Sequence, residues 1–293
     1  MSVGSEPVPH PISEGEDSMT IRRIEVPLSG KDSFDGLLDS ARQLADRFNA
    51  RVEVRFIRPS ASDAALYDAG FGFASASLID QIEQEGLAAA EAGRKRFDAW
   101  CARHTLRPPM EWHVEDGQTG AVVARCGCLA DLILLQRAGE KDAAIDEPFE
   151  AAVYGAGRLA MVVDASLANN FLDHVLIAWN ESTEASRAVS QSLPFLTKAS
   201  RVSIFVAGEA GGDPADAQGL VNYLALHGIT AQPVFSGPVS GAIGEALLSV
   251  AAREGVTLLV MGAYTHGRVR QMLFGGVTQH VLTTAGLPAL FAH

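Results

Sequence analysis

Glycines, arginines and threonines are set in an anion-binding pattern in Thr257-Leu-Leu-Val-Met-Gly-Ala-Tyr-Thr-His-Gly-Arg-Val-Arg-Gln-Met-Leu-Phe-Gly-Gly-Val-Thr-Gln-His-Val-Leu282. The stretch reads as strand, loop, helix. Residues 257–261 are an apolar run, Gly262 ends it, and a loop carrying Gly267, Arg268 and Arg270 leads to Gly275-Gly276, where Val277-Thr278 opens an amphipathic helix. The chemistry of such a place is anion binding. First-turn N–H groups have no partner within the helix and carry partial positive charge, and glycines without side chains let a phosphate oxygen reach the backbone. The plain alternative is a helix start with glycines for turn geometry. Arg268 and Arg270 either neutralise a phosphate or stay solvated, and both readings stand. His266 and His280 do not have the spacing of a metal pair, and no metal site is expected.

Competing motifs fail on context. Ser29-Gly-Lys-Asp-Ser33 contains a Gly-Lys pair, but a P-loop needs glycine where the chain has Glu25. Gly155-Ala-Gly157 precedes a strand, not a helix, so it is no dinucleotide fingerprint. No Gly-x-Ser-x-Gly elbow and no catalytic constellation is present, so no catalytic residue is expected.

Composition narrows the partners. Among 293 residues, 47% hydrophobic and 20% charged, 35 acidic side chains outnumber 23 basic ones, for a net charge of −12. Such a chain lacks the basic field that draws nucleic acid or anionic lipid, and neither is an expected partner. No apolar run approaches the roughly 20 residues of a membrane span, and the first residues lack a signal-peptide pattern, so a cytoplasmic protein is expected. Three cysteines do not suggest a disulfide framework. Cys126 and Cys128 would lie about 200° apart on a helix, unfit to share a metal and expected to be buried small residues.

The elements that must position the loop come in two series. Residues 1–18, rich in Pro, Ser, Gly and Glu, are expected to be a disordered tail. A strand at 23–28, a helix at 33–49 with Leu37, Leu38, Ala41, Leu44, Ala45 and Phe48 on one face, and a strand at 51–57 make a β-α-β start, the signature of a parallel sheet. Residues 58–77 form a long loop or lid. A helix over 78–104, a strand over 110–114, a helix from Gly117 and Gly120 to 129, a strand over 131–135, a short helix and a strand over 158–163 complete the series. The order then repeats. Residues 175–179 answer the first strand, 183–196 the first helix and 202–206 the second strand, and 214–227 is a helix. Val114 to Val122 echoes Val234 to Ile243, strand to helix through two glycines each, Gly117 and Gly120 against Gly237 and Gly241. Leu132–Leu135 answers Leu258–Met261, and Leu159–Val163 answers Pro288–Ala292. Two copies of one α/β domain are therefore expected, at 19–167 and 168–293.

The loop resembles the motif of the universal stress protein family: Gly, two residues, Gly, nine residues, Gly, Ser or Thr, then often Val-Thr. Gly262 and Gly275 keep their places, Thr265 stands at the second Gly, Gly276 stands at Ser or Thr, and Val277-Thr278 match. The tandem form of that family is resembled across nearly the whole chain. The resemblance implies two doubly wound Rossmann-like domains of strand order 3-2-1-4-5. It implies closing strands, edges of their sheets, that pair across a two-fold axis as an internal pseudo-dimer, with a further homo-oligomer expected. It also implies ATP, with Mg or Mn only if ATP is bound, held at the C-terminal ends of strands 1 and 4 of the second copy by Ala178, Trp179, Asn180, Val206, Met261, Gly262, Thr265, Gly275, Gly276, Val277 and Thr278. Asn180 stands where binding members carry Asp on the adenine and ribose side, and Val206 where the ribose or base is lined. Asn180 has an equal reading as a turn or cap residue with Ser182, and Val206 as core. Thr265 crowds a phosphate, while Thr278 offers the hydroxyl that Gly276 lacks. The first copy has Gly139 alone after its fourth strand, among acidic residues, and is expected to be a nucleotide-free scaffold. The function implied is a regulatory stress-response protein that binds an adenine nucleotide. A nucleotide-free scaffold acting through protein contacts and a slow ATP hydrolase are the alternatives.

Overall fold

The computed structural model describes residues 20–28, 34–58, 76–105, 109–137, 146–207, 214–236, 242–263 and 276–293. The tail at 1–18, most of the loop at 58–77, and Gly139, Gly237, Gly241, Thr265, His266, Gly267, Arg268, Arg270 and Gly275 lie outside them.

The first series runs β1 (Arg23–Leu28), α1 (Phe34–Phe48), β2 (Arg51–Arg58), α2 (Ala76–Ala102), β3 (Met110–Asp116), α3 (Thr119–Gly127), β4 (Leu132–Gln136), α4 (Asp146–Glu150) continuing into a π-helical turn (Ala151–Gly155), and β5 (Leu159–Val163). The second runs β6 (His174–Trp179), α5 (Thr183–Leu196), β7 (Arg201–Val206), α6 (Pro214–Leu226), β8 (Ala231–Phe235), α7 (Ile243–Glu254), β9 (Leu258–Gly262), α8 (Val277–Thr284) and β10 (Ala289–Ala292). Strands such as Leu159–Val163 and Leu258–Gly262 are buried along their whole length, as short apolar runs covered by helices on both faces must be. α1 buries Leu37, Leu38, Ala41, Leu44, Ala45 and Phe48, the face its 3.6-residue period assigns. α7 stops at Gly255, whose φ of 66° and ψ of 41° place it in the left-handed region that closes helices.

All ten strands form one sheet, β3-β2-β1-β4-β5-β10-β9-β6-β7-β8, so each series has the order 3-2-1-4-5. The register repeats as well as the order. Ile24 pairs with Val52 on one side and Leu132 on the other, as Val175 pairs with Val202 and Leu258. Leu132 faces Leu159, and Leu259 faces Ala289. Counting along these registers, Glu25 corresponds to Leu176, Glu53 to Ser203, Arg55 to Phe205, Gln136 to Gly262, Arg137 to Ala263 and Asp164 to His293. One detail of the sequence echo is corrected. It sets Gly120 against Gly241, but Gly244 holds the matching place as second residue of its helix. A Cβ on Gly120 would meet Glu147 Cγ at 2.8 Å, and one on Gly244 would meet His280 Cδ2 at 2.8 Å.

The two series join where β5 and β10 run antiparallel, all other pairs being parallel. Each closing strand is the edge of its own five strands, and the two cover one another, so β3 and β8 are the outer edges. Met161 faces Leu290, its own counterpart, so a pseudo-two-fold axis passes through that pair, as in a symmetric dimer interface. Hydrocarbon spans the junction on both faces of the sheet. Phe48 meets Phe195 edge-on at 4.7 Å between ring centroids, and Phe149 meets Phe291 at 5.0 Å. The connecting segment is tied to the first series: Leu167 N–H donates to Ser40 Oγ at 2.9 Å, and its carbonyl accepts from Gln43 Nε2 at 2.7 Å. Cys126 and Cys128 depart from expectation. Cys128 follows the last residue of α3 and is exposed, and Cys126 is only half-buried.

Candidate functional site at the second switch point

β6 lies between β7 and β9, so the chain leaves it first to one side and then to the other. Helices on the two sides then diverge beyond the strand ends, and the crevice between them is the usual ligand position of open α/β sheets. The register sets Trp179 beside Val206 and Ala178 beside Met261. Those four residues, with Gly262, are thereby brought together at the C-terminal ends of three adjacent strands. Val206 and Met261 are buried, whereas Ala178 and Trp179 are half-buried.

Gly262 is more than a strand stop. A Cβ there would lie 2.7 Å from the Ala185 backbone nitrogen and 2.8 Å from the Glu184 carbonyl carbon. No side-chain motion relieves a clash with backbone, so glycine is what lets the first turn of α5 close over the end of β9. That turn is built by Asn180 and Ser182. Asn180 Oδ1 accepts from the Ser182 hydroxyl at 2.7 Å and from its N–H at 3.3 Å, and Ser182 Oγ accepts from Ala185 N–H at 3.1 Å. Ser182 is thus the helix cap and Asn180 its support, the structural role of the two weighed from sequence. Glu181 between them has a φ of 58°, unusual for a residue with a side chain.

Across the crevice, α8 opens at Gly276 with φ −61° and ψ 155°. These are values any residue adopts, so glycine is not required there by backbone conformation. It leaves the helix start without a side-chain acceptor. Val277 is half-buried and Thr278 buried in the first turn. Thr265 and Gly275, predicted to complete the loop, fall outside the described residues. A helix start with an N-cap that offers no acceptor fits a phosphate, and Gly276, Val277 and Thr278 are the described residues that would hold one. Among the described residues no three His, Cys, Asp or Glu side chains stand together as a metal site.

One residue of the first series reaches this region and a second holds the far end of α8, and sequence reasoning missed both. The Tyr154 ring packs against His293 with centroids 4.1 Å apart and planes tilted by 54°, and His293 Nδ1 is 2.9 Å from the Ala263 carbonyl oxygen, next to Gly262. Burial pushes the Tyr154 phenol above its ordinary pKa, and the nearby charge of Glu184 adds to that. Arg137, at the end of β4, crosses the axis to α8. Its Nη1 donates to the carbonyls of Val281 at 2.6 Å and Leu282 at 3.0 Å, its Nη2 donates to that of Leu287 at 2.8 Å, and its Nε bonds Asp164. No local pattern announces these contacts, because they depend on the pseudo-two-fold.

The first switch point is furnished differently. Gln136 stands where the second has Gly262. The helix that corresponds to α7, α3, has a carboxylate of its own chain at its start, Glu147 Oε1 accepting from Gly120 N–H at 2.8 Å.

The fold and the switch point define an open, doubly wound α/β protein built from two series of one strand order. Residues 207–293 match the model of the universal stress protein family. Among solved structures, a universal stress protein from Archaeoglobus fulgidus DSM 4304 aligns with a TM-score of 0.66 at 15% identity, over 92% of this chain and 95% of that one. A functionally unknown protein from Pseudomonas aeruginosa PAO1 aligns with a TM-score of 0.52 at 15% identity, over 93% of this chain and 92% of that one. At such identity the likeness is one of fold, and it covers both series. No curated protein matches the sequence. No helix among the described residues is long and apolar enough to cross a membrane.

Proposed function

We propose that this protein is a regulatory stress-response protein that binds ATP at the second switch point and there only. The observation that carries the reading is the start of α8. Gly276 offers no side-chain acceptor, the helix begins opposite the ends of β6 and β9, and it lies inside the segment that matches the family. Phosphates would rest on the backbone of Gly276 to Thr278, and Mg or Mn would accompany them only as the counter-ion of bound ATP. On the base side, the Asn180 amide nitrogen is the part of that side chain its turn does not use. Turnover is not part of the proposal, because no general base is identified. Association of two chains is expected to use a surface other than β5 and β10, which cover one another.

The test is extraction of small molecules from purified protein, followed by thermal unfolding with and without ATP. Adenine nucleotide in the extract, or a melting temperature that rises with ATP concentration, supports binding. A nucleotide-free scaffold is the second reading, favoured by the commitment of Asn180 Oδ1 to the α5 cap. A clean extract together with an unchanged melting temperature would select it.

A further inference from the structure

We infer that Arg137, in the series without the nucleotide loop, is a positioning residue for the anion site of the other series. The inference rests on the nucleotide-binding reading above and adds to it a residue from outside the second copy.

α8 has eight residues, too few to be stable as an isolated helix, so its place is fixed by what holds it. Its sides are packed through Val281, Leu282 and Thr278. Its C-terminal end is held by Arg137, whose side chain is 7% exposed and whose fork reaches the carbonyls of Val281, Leu282 and Leu287 at once. Val281 O also accepts the Ala285 N–H at 3.1 Å, and Leu287 lies beyond the helix, so the guanidinium adds a charged donor to the last turn, ties it to the segment that follows, and favours the dipole direction that makes the far end positive. Asp164 holds the fork from the other side through Nε. The lever is short. Eight residues rise roughly 12 Å, so a swing of about 10° at the C-terminal end would move the first turn by about 2 Å, well beyond the roughly 0.5 Å that a binding constellation tolerates.

The arrangement runs one way across the pseudo-two-fold. Ala263 and His293 hold the places of Arg137 and Asp164 in the second series, and the backbone bond is kept: Ala263 N–H donates to Ala292 O at 2.8 Å, as Arg137 N–H does to Val163 O at 2.5 Å. The fork is not kept, so the first series steadies the helix of the second without a return contact of that kind.

The experiment is calorimetric titration of ATP into the full chain, comparing wild type, Arg137→Ala and Arg137→Lys, with amide hydrogen exchange of α8 in the ligand-free proteins. Arg137→Ala is expected to bind roughly tenfold more weakly, within the usual range of coupling between sites. Faster exchange of the α8 amides should accompany it. Millimolar guanidinium chloride should recover part of the affinity in Arg137→Ala, where the same concentration of sodium chloride does not, a rescue that a general loss of packing would not show. Arg137→Lys keeps the buried charge and loses the fork, so it serves if the alanine variant does not fold, and several-fold weaker binding is expected. Wild-type binding with both variants, or the only one that folds, at wild-type affinity would overturn the inference and leave the site standing. A wild type that binds no ATP would overturn both.

Discussion

Arg55 and Phe205 hold the same register position in two copies of one sheet, and their surroundings have almost nothing in common. Arg55 bonds Glu25 at 2.5 Å, Glu115 at 2.9 Å and Glu53 at 3.0 Å, while Arg23 and Arg125 complete the carboxylates. Phe205 lies in hydrocarbon with Leu176, the counterpart of Glu25. Strand order and register are nonetheless the same on both sides. A doubly wound sheet is specified by which positions point inward and by where the turns fall, and it accepts either a satisfied ion network or apolar packing at a given place. The copies differ again at the strand ends. Gln136 and Arg137 stand in one copy where Gly262 and Ala263 stand in the other, and a side chain at Gly262 would press on the Ala185 and Glu184 backbone.

The sharpest way to break this comparison is to exchange the two chemistries. Burial is the largest single influence on Arg55 and works against its charge, but the bond to Glu25 and the charges of Glu25 and Glu115 together outweigh it and hold the guanidinium pKa above its ordinary value. Arg55→Phe alone should therefore strand a buried Glu25 and cost about 3–5 kcal/mol, the usual cost of halving a buried pair. Arg55→Phe with Glu25→Leu, which copies Phe205 and Leu176, should recover most of that loss. Chemical denaturation of the three proteins checks it, and a double variant as unstable as the single one would show that the first copy cannot accept the packing of the second.

At the strand ends, Gly262→Ala is expected to cost about 1–3 kcal/mol, because its methyl would press on the Ala185 and Glu184 backbone. Gln136→Ala, at the counterpart position, should cost less than Gly262→Ala, as read from denaturation midpoints. A smaller effect is expected at the α5 cap. Ser182→Ala should cost about 1 kcal/mol by freeing Ala185 N–H, and retention of full stability would mean that the cap adds nothing.

The smallest effect concerns pH. His174 is buried, with Nε2 at 2.8 Å from Ser203 Oγ and Nδ1 at 3.1 Å from the Glu254 carbonyl oxygen, and burial lowers its pKa below the ordinary 6.5. The folded chain thus binds this proton less readily than the unfolded one. Stability from a neutral His174 is full above about pH 6.5 and is lost as pH falls from there through the folded-state value. Denaturation midpoints between pH 7.5 and pH 5 should fall less in His174→Gln than in wild type, roughly in proportion to the one proton involved.

Much of the fold was legible because burial leaves periodic marks. α1 was expected at 33–49 and spans 34–48, and α5 spans the expected 183–196, since apolar faces and a capping serine announce themselves locally. Pairing of β5 with β10 followed from the resemblance once two bare strands closed two repeats. Within the site, Gly262 and Gly276 stood out by residue type, but why Gly262 must be glycine depends on a helix that follows a different strand. Arg137 and Tyr154 left no pattern because their partners belong to the other copy. Cys128 was misjudged because residue type suggests burial, whereas its place just past a short helix exposes it.

The two copies are proposed to differ in ligand, with one anion site per chain, at α8. Titration of ATP into wild type and Gly276→Asp tests it most directly. The backbone at Gly276 admits an aspartate without strain, so the variant should fold while placing negative charge where phosphate would sit. One molecule of ATP per wild-type chain and no measurable binding to Gly276→Asp are expected. Two sites per chain, no binding by wild type, or equal binding by a folded Gly276→Asp would contradict that proposal.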